Sequence, residues 1–166
     1  MNEMIVSILP EMEAQIVEQA EMKLIGIPCI GLNDMGSKYR LAKDSLLGLS
    51  DHMPQIVDAN VQFGMWPQAP GQDTPHTHAY ILSVEVSTFD GVPEWFVQMT
   101  IPAQRCVVAA SKDGDFDGTG RLIDTFIAEN GLRVENQGRN YTICERYRYN
   151  AEGFARYSLP ITSDSN

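Results

Sequence analysis

Short segments in which apolar side chains alternate with polar ones, or run together, recur along the whole chain. In residues 80–86, Tyr80 and Leu82 fall on one face of an extended segment and Ile81 and Ser83 on the other. Prolines and glycines separate these segments, as expected for turns. The pattern predicts an extended lead from Gln15 and strands at 23–30, 61–66, 80–86, 95–101, 105–110, 141–147 and 157–161. Pro102 leaves open whether 95–101 and 105–110 are two strands or one bent strand.

Two other segments have apolar residues at steps of three and four, which is the spacing of an amphipathic helix. The first predicts a helix over 36–50, ended by Pro54, from Tyr39, Ala42, Leu46 and Leu49. The second predicts a helix over 117–130 from Leu122, Ile123, Phe126 and Ile127. The Asn-Gly pair at 130–131 is typical of a helix C-terminus.

The order strand, helix, strand, strand occurs twice, and the two halves also match weakly in sequence. Residues 22–25 parallel 104–107, and 62–66 parallel 143–147. A repeat of this length predicts two copies of one unit packed together, not a solenoid. The fold class is therefore α+β: two tandem βαββ units with pseudo-two-fold symmetry, antiparallel sheets and a central ligand cleft. We expect a lead-in over 1–13, one domain over 14–162 with half-units of about 14–90 and 91–162, and a tail over 163–166.

The formal net charge is −10, from 22 acidic and 12 basic residues, and this argues against direct nucleic-acid binding, which needs clustered Lys and Arg. No apolar stretch is long enough to cross a membrane, and 1–10 lacks the basic start of a signal peptide. Cys29, Cys106 and Cys144 have no pairing or metal-binding spacing, which favours buried free thiols and a cytoplasmic location. His76 and His78 lack an evident third ligand, so no metal site is predicted.

Five segments, in their order and spacing, carry a family resemblance. They are Ile16-Val17-Glu18 with Lys23-Leu24-Ile25-Gly26, then Leu82-Ser83-Val84-Glu85-Val86, Ile101-Pro102-Ala103-Gln104, Arg105-Cys106-Val107-Val108 and Tyr157-Ser158-Leu159-Pro160-Ile161. Together they resemble the GyrI-like effector-binding domain, the drug-sensing part of some bacterial multidrug-responsive regulators, which also occurs alone. The resemblance covers nearly the whole chain, from about residue 14 to 162.

The resemblance implies a central pocket that binds lipophilic cations through a buried carboxylate under aromatic walls, without a cofactor. In that family the carboxylate lies on the penultimate strand, where Glu145 lies here; Glu85 is the second acidic candidate. Regulators of this kind carry a separate DNA-binding region, for which 1–13 and 163–166 are too short. A regulatory role would therefore act through a partner protein or a homodimer.

The residues around Glu145 allow two interpretations. Alternation places Glu145 on one strand face with Ile143 and Tyr147, which is unusual company for a solvated carboxylate. In a cleft, such a charge would need a cationic ligand as its partner. The alternative is a cross-strand salt bridge with Arg146 or Arg148. Glu85 likewise could face the pocket or be an exposed acid on an edge strand.

Aromatic residues and one methionine are the candidates for the pocket wall, because ring faces attract cations and methionine adapts to varied ligands. The preferred wall residues are Trp66, Trp95 and Tyr147; the others are Phe63, Tyr80, Tyr39, Tyr141, Phe96 and Met99. The alternative for each is packing in the core. Tyr and Trp favour the wall because their polar ends need a partner.

Three functions are consistent with these residues. The first is a stand-alone effector-binding protein that holds drug-like lipophilic cations. The second is a hydrolase of small electrophiles in the same cleft, with Glu145 and a tyrosine handling protons; the sequence lacks a paired nucleophile and base, which favours a non-enzyme. The third is an acidic inhibitor of a macromolecular target.

Overall fold

The computed structural model describes residues 9–30, 34–66, 79–135, 142–151 and 153–162, with only the backbone of Ala79. Two helices lie in this part of the chain: α1 (Met35–Gly48), followed by a 3₁₀ turn (Leu49–Asp51), and α2 (Phe116–Glu129). The strands, in chain order, are β1 (Gln15–Gln19), β2 (Met22–Ile30), β3 (Val61–Met65), β4 (Ala79–Val86), β5 (Val97–Ile101), β6 (Gln104–Ser111), β7 (Arg133–Val134), β8 (Glu145–Arg148), β9 (Phe154–Tyr157) and β10 (Ile161–Thr162).

Eight of these strands form one antiparallel sheet in the order β1-β6-β9-β8-β3-β4-β2-β5. Each strand of one half has an equivalent in the other: β1 is equivalent to β5, β6 to β2, β9 to β4 and β8 to β3. The equivalent strands follow in the same order from the two edges of the sheet to its centre. The first strand of each half therefore pairs with a strand of the other half: β1 pairs with β6, and β5 pairs with β2. The pseudo-two-fold axis passes between β8 and β3, where Gly64 lies opposite Glu145. The two halves thus meet along one strand pair at the centre of the sheet.

Both faces of the sheet are buried, but by different partners. On one face, side chains from both ends of the sheet form a single apolar cluster that includes Leu24, Phe63, Met99 and Val108. On the other face, α1 packs on the first half through Ala42 and Leu46, and α2 packs on the second through Ile123. Because α1 and α2 cover separate halves, the central strands β3 and β8 lie between the two helices.

The sequence predicted both helices to within two residues at each end, because their apolar spacing follows the face that packs on the sheet. The segments before and after Pro102 are two strands, not one bent strand, and they lie in opposite halves of the sheet. The single strand predicted for 157–161 is wrong. Ser158 instead accepts a hydrogen bond from the Val107 backbone through Oγ, which ends β9, and β10 starts only after Pro160.

Three observations concern the cysteines, metal-ligating side chains and helix length in the described residues. The three cysteines are free; Cys29 and Cys106 are buried and Cys144 is partly buried. No cluster of metal-ligating side chains occurs in the residues that the structure describes. Neither described helix is long and apolar enough to cross a membrane. His76 and His78 lie outside the described residues.

Candidate functional site

A cavity of about 300 Å³ opens on the helix-covered face, above the central strand pair. The first turn of α1 and the first residue of α2 border it from opposite sides, because the two helices begin at equivalent points of the two halves. The sheet supplies the floor. The lining residues are Met35, Gly36, Tyr39, Trp66, Tyr80, Phe116, Glu145 and Tyr147. Two of the three oxygen-bearing side chains of the sheet come from β8, and the third comes from β4.

Glu145 is the acidic residue of this cavity and is only 6% exposed. Its Oε1 accepts hydrogen bonds from the phenols of Tyr80, at 2.7 Å, and Tyr147, at 3.1 Å. Tyr147 shares the face of Glu145, as alternation predicted. Ile143 does not: β8 begins only at Glu145, and Ile143 packs into the cluster on the other face. Neutral hydroxyl groups therefore surround the buried carboxylate.

The salt bridge that sequence reasoning left open is not what the structure contains. Arg146 and Arg148 alternate with Glu145 and point to the opposite face, where both influence the phenol of Tyr157. Among the described residues, the ion pair found joins Arg105 to Glu18, at the far edge of the sheet. Glu145 thus has no basic ion-pair partner in the described part of the chain.

A glycine makes the hydrogen bond from Tyr80 to Glu145 geometrically feasible. Gly64 lies directly across the central strand pair from Glu145, and the Tyr80 ring passes over it. A Cβ at this position would come within 2.5 Å of the Tyr80 Cζ. Only a residue without a side chain leaves room for this ring, so Gly64 is part of the site although it offers no chemical group.

Aromatic rings enclose the carboxylate. The centroids of Trp66 and Tyr80 are 4.8 Å apart, in an edge-on arrangement. Those of Tyr39 and Tyr147 are 5.5 Å apart, and those of Phe116 and Tyr147 are 6.5 Å apart. Separations of this size are typical of interacting aromatic pairs. Five rings from α1, α2 and the sheet therefore form a box around Glu145.

Two further side chains support the box from outside. The hydroxyl groups of Tyr39 and Tyr149 lie 2.5 Å apart, and the Tyr147 and Tyr149 rings are nearly parallel, with centroids at 6.2 Å. The ammonium group of Lys43 lies 4.4 Å above the Tyr149 ring. Tyr149 thus fixes both Tyr39 and Tyr147 and also provides an example of a cation held on a ring face in this molecule.

Burial raises the pKa of the Tyr80 phenol above its usual range, and the charge of Glu145 raises it further. The same two causes, in the same order, raise the pKa of Tyr147. Both phenols therefore keep their protons at neutral pH and act as hydrogen-bond donors to the carboxylate. The site combines one acceptor charge with two fixed neutral donors.

One basic residue lies close to the site on the same face. Arg156 is the cross-strand partner of Glu145 in β9, and it lines a second cavity, of about 380 Å³, with Ile123 and Leu159. Trp66 borders both cavities. No ion pair joins Arg156 to Glu145 within the described residues, but the positive charge of Arg156 still acts on the first cavity at longer range.

The structure brings together five of the residues that the sequence proposed for the pocket: Glu145, Tyr147, Tyr80, Tyr39 and Trp66. Alternation placed Tyr80 and Tyr147 correctly because both are within regular strands. Tyr141 lies outside the described residues.

Five other candidates lie elsewhere, which corrects the prediction of one shared pocket. Phe63 and Met99 are in the cluster on the opposite face, because their strands turn these side chains away from the helices. Glu85 is half-buried opposite Leu24 on that face. Phe96 packs in the apolar cluster beneath α1, away from the cavity. Trp95 precedes β5 in a turn and is 79% exposed.

Three lining residues were missed: Met35, Gly36 and Phe116. Met35 and Phe116 are the first residues of α1 and α2. Met35 packs on the apolar cluster beneath α1, and the Phe116 ring centroid lies 4.2 Å from that of Phe154 in β9. A signal exists for Phe116, which lies between Asp115 and Asp117. The Asp115 side chain caps α2 by accepting from the Gly118 backbone at 2.8 Å. A large apolar residue immediately after such a cap, two helical turns before Ile123, extends the apolar stripe of α2 to the beginning of the helix.

No model of a protein family matches this sequence, and no curated protein is significantly similar to it. Among solved structures, the chain is similar to the C-terminal domain of EcmrR, with a TM-score of 0.61 at 13% identity over 91% of this chain and 98% of that one. It is similar to SAV2435 bound to tetraphenylphosphonium, with a TM-score of 0.53 at 11% identity over 91% and 94% of the two chains.

It is also similar to a hydrolase encoded by lin2189 from Listeria innocua, with a TM-score of 0.52 at 9% identity over 96% of each chain. At these identities the similarity establishes a shared fold. The chain has the fold of the GyrI-like effector-binding domains, as the resemblance in sequence predicted.

Proposed function

We propose that this protein binds lipophilic organic cations in the cavity at Glu145 and acts as a small-molecule-binding module. The observation that carries the proposal is a carboxylate, 6% exposed, whose hydrogen-bond partners are two neutral phenols inside an aromatic box. A buried charge without a charged partner is unfavourable, and a bound cation would supply that partner. The rings would add about 0.5–2 kcal/mol each for a cation on their faces.

The size of the cavity supports a small ligand. A volume of about 300 Å³ is at the lower end of the range usual for small-molecule sites. A structural neighbour, SAV2435, holds tetraphenylphosphonium, which is a lipophilic cation. We infer the same ligand class for this chain from its own acidic, ring-lined cavity. The free thiols support a cytoplasmic location.

Two ions of one shape and opposite charge test the proposal. Calorimetric titration should detect binding of tetraphenylphosphonium and none of tetraphenylborate, because only the former pairs with Glu145. Glu145→Gln should weaken phosphonium binding by about 10-fold or more, since a desolvated charge pair is lost. Glu85→Gln is the matched control, because Glu85 is half-buried on the opposite face, and it should bind like the wild type. Equal affinity of the wild type and Glu145→Gln would refute the ion pair.

A hydrolase is the second candidate, favoured by the structural neighbour from Listeria innocua and by the two protonated phenols beside Glu145. Such a site could activate water with the carboxylate and donate a proton from a phenol. The expected result is turnover of a small electrophile, such as an activated ester, that Glu145→Gln abolishes. Turnover that persists in Glu145→Gln would rule out this mechanism.

A further inference from the structure

The two oxygens of the Glu145 carboxylate have different surroundings. Both phenol donors, Tyr80 and Tyr147, bond to Oε1. Within the described residues no hydrogen bond reaches Oε2, and Oε2 is not one of the buried polar atoms that lack a partner. Glu145 lines the cavity, so Oε2 is the oxygen that borders it. One oxygen anchors the carboxylate and the other faces the space where a ligand would lie.

A carboxylate oxygen at the edge of an aromatic cavity needs a hydrogen-bond donor once a ligand has displaced water. A protonated amine supplies an N–H donor and a positive charge together, and such charge-assisted bonds are short and about twice as strong as neutral ones. A quaternary ammonium or phosphonium ion supplies only the charge. It would leave Oε2 desolvated and without a donor, which is the more expensive arrangement.

We propose that the cavity selects cations that carry an N–H group, namely protonated amines or amidines with apolar substituents, over permanently charged ions of similar size. This inference rests on the proposed function, since it assumes that cations occupy the cavity. The two fixed donors strengthen it: Tyr80 and Tyr147 already occupy Oε1, so a ligand N–H meets Oε2 without competing with a protein group.

The aromatic box does not reverse this preference. Ring faces attract a cation through its charge, and Tyr39, Trp66 and Phe116 offer that attraction to either kind of ion. The two kinds differ mainly at Oε2, where one forms a hydrogen bond and the other does not. Sites built around a polar contact discriminate strongly against analogues that lack it, because the protein group is then left without a partner.

Matched ligands test the selection. One is (1-naphthylmethyl)dimethylamine, titrated below its pKa so that it is protonated; the other is (1-naphthylmethyl)trimethylammonium, which differs by one methyl group in place of the N–H. The protonated amine should bind the wild-type protein about 10-fold or more tightly. In Glu145→Gln the ratio of the two affinities should fall toward one. Glu85→Gln, on the opposite face of the sheet, is the control and should keep the wild-type ratio.

The outcomes separate the two proposals. Equal affinities in the wild type, or tighter binding of the quaternary ion, would overturn the selection while leaving a cation site, provided that Glu145→Gln weakens both ligands. If neither ligand binds and tetraphenylphosphonium also fails to bind, the cation site itself is refuted. Circular dichroism of each variant checks that it folds. If Glu145→Gln does not fold, Glu145→Leu, which fills similar space without a charge, takes its place, and loss of the wild-type ratio in that variant gives the same answer.

Discussion

The two halves of the sheet use the same framework and differ where they meet. Each half contributes one aromatic pair: Trp66, directly after β3, with Tyr80 in the first, at 4.8 Å, and Tyr147 with Phe154 in the second, at 5.6 Å. On the axis itself, however, Gly64 lies opposite Glu145. One half supplies a charge and the other supplies the space for a ring to reach that charge.

The fold depends on what the two halves share, and the chemistry of the site depends on where they differ. The repeated elements place rings and helix ends symmetrically around the centre of the sheet, which any duplicated unit of this kind would do. The ligand chemistry depends on the departures from symmetry: Glu145 in place of glycine, and the hydroxyl of Tyr80 in place of the bare ring of Phe154. Substitutions at these positions should therefore change either the stability of the centre of the sheet or its affinity for a cation.

A side chain at Gly64 has the largest expected effect. Gly64→Ala adds a Cβ within 2.5 Å of the Tyr80 Cζ, so the ring must leave its place above the central strands. Unfolding in urea should reveal a loss of about 1–3 kcal/mol, the range for overpacking a buried site. Gly48→Ala is the control, because a Cβ there has no atom within 4 Å, and it should leave stability unchanged or raise it. Equal stability of Gly64→Ala and the wild type would mean that the Tyr80 ring does not occupy this space.

Alkaline pH should destabilise the protein through the same tyrosines. Burial raises the pKa of Tyr39, Tyr80, Tyr147 and Tyr149 in the folded state. The unfolded chain therefore loses these protons first, above about pH 10, and stability falls as pH rises further. Each tyrosine contributes at most about 1.4 kcal/mol per pH unit. Urea unfolding on either side of pH 10 measures the slope, which Tyr80→Phe should reduce. A stability independent of pH in this range would contradict the burial of these phenols.

Tyr80→Phe makes the first half resemble the second, where Phe154 has no hydroxyl. Glu145 then loses its shorter hydrogen bond, and we expect a loss of about 1.5 kcal/mol of stability, typical of a bond to a charged group. Tyr147→Phe removes the 3.1 Å bond and should cost less. Chemical denaturation of both variants ranks the two bonds. The reverse ranking would mean that Tyr147 is the principal donor to Glu145.

The smallest expected effect concerns Arg156, which occupies the place of Leu82 in the other half. Arg156→Leu removes a positive charge beside Glu145, so the affinity for a cation should rise. We expect a rise of about two- to fivefold, because water near the surface weakens the repulsion between Arg156 and the cation. Arg105→Leu is the control, because Arg105 pairs with Glu18 at the edge of the sheet. A fall in affinity for Arg156→Leu would mean that Arg156 helps to form the cavity instead of opposing the cation.

The sequence predicted the fold and part of the site for identifiable physical reasons. The periods of strands and helices located both helices and the faces of Tyr80 and Tyr147, since those residues lie within regular elements. Sequence periodicity did not show which face of a strand would meet the helices, because both faces of this sheet are buried. Phe63 and Met99 were placed in the pocket for that reason. Trp95 lies outside the strands, where periodicity carries no information, and Phe116 lies one residue before the start predicted for the second helix.

A crystal of the protein soaked with tetraphenylarsonium tests the central claim most directly, because the arsenic atom reveals its own position by anomalous scattering. We expect one strong arsenic peak inside the ring box, within about 6 Å of the ring centroids and next to the Glu145 carboxylate. A peak elsewhere on the molecule, with the cavity empty, would contradict the claim that this carboxylate binds a cation.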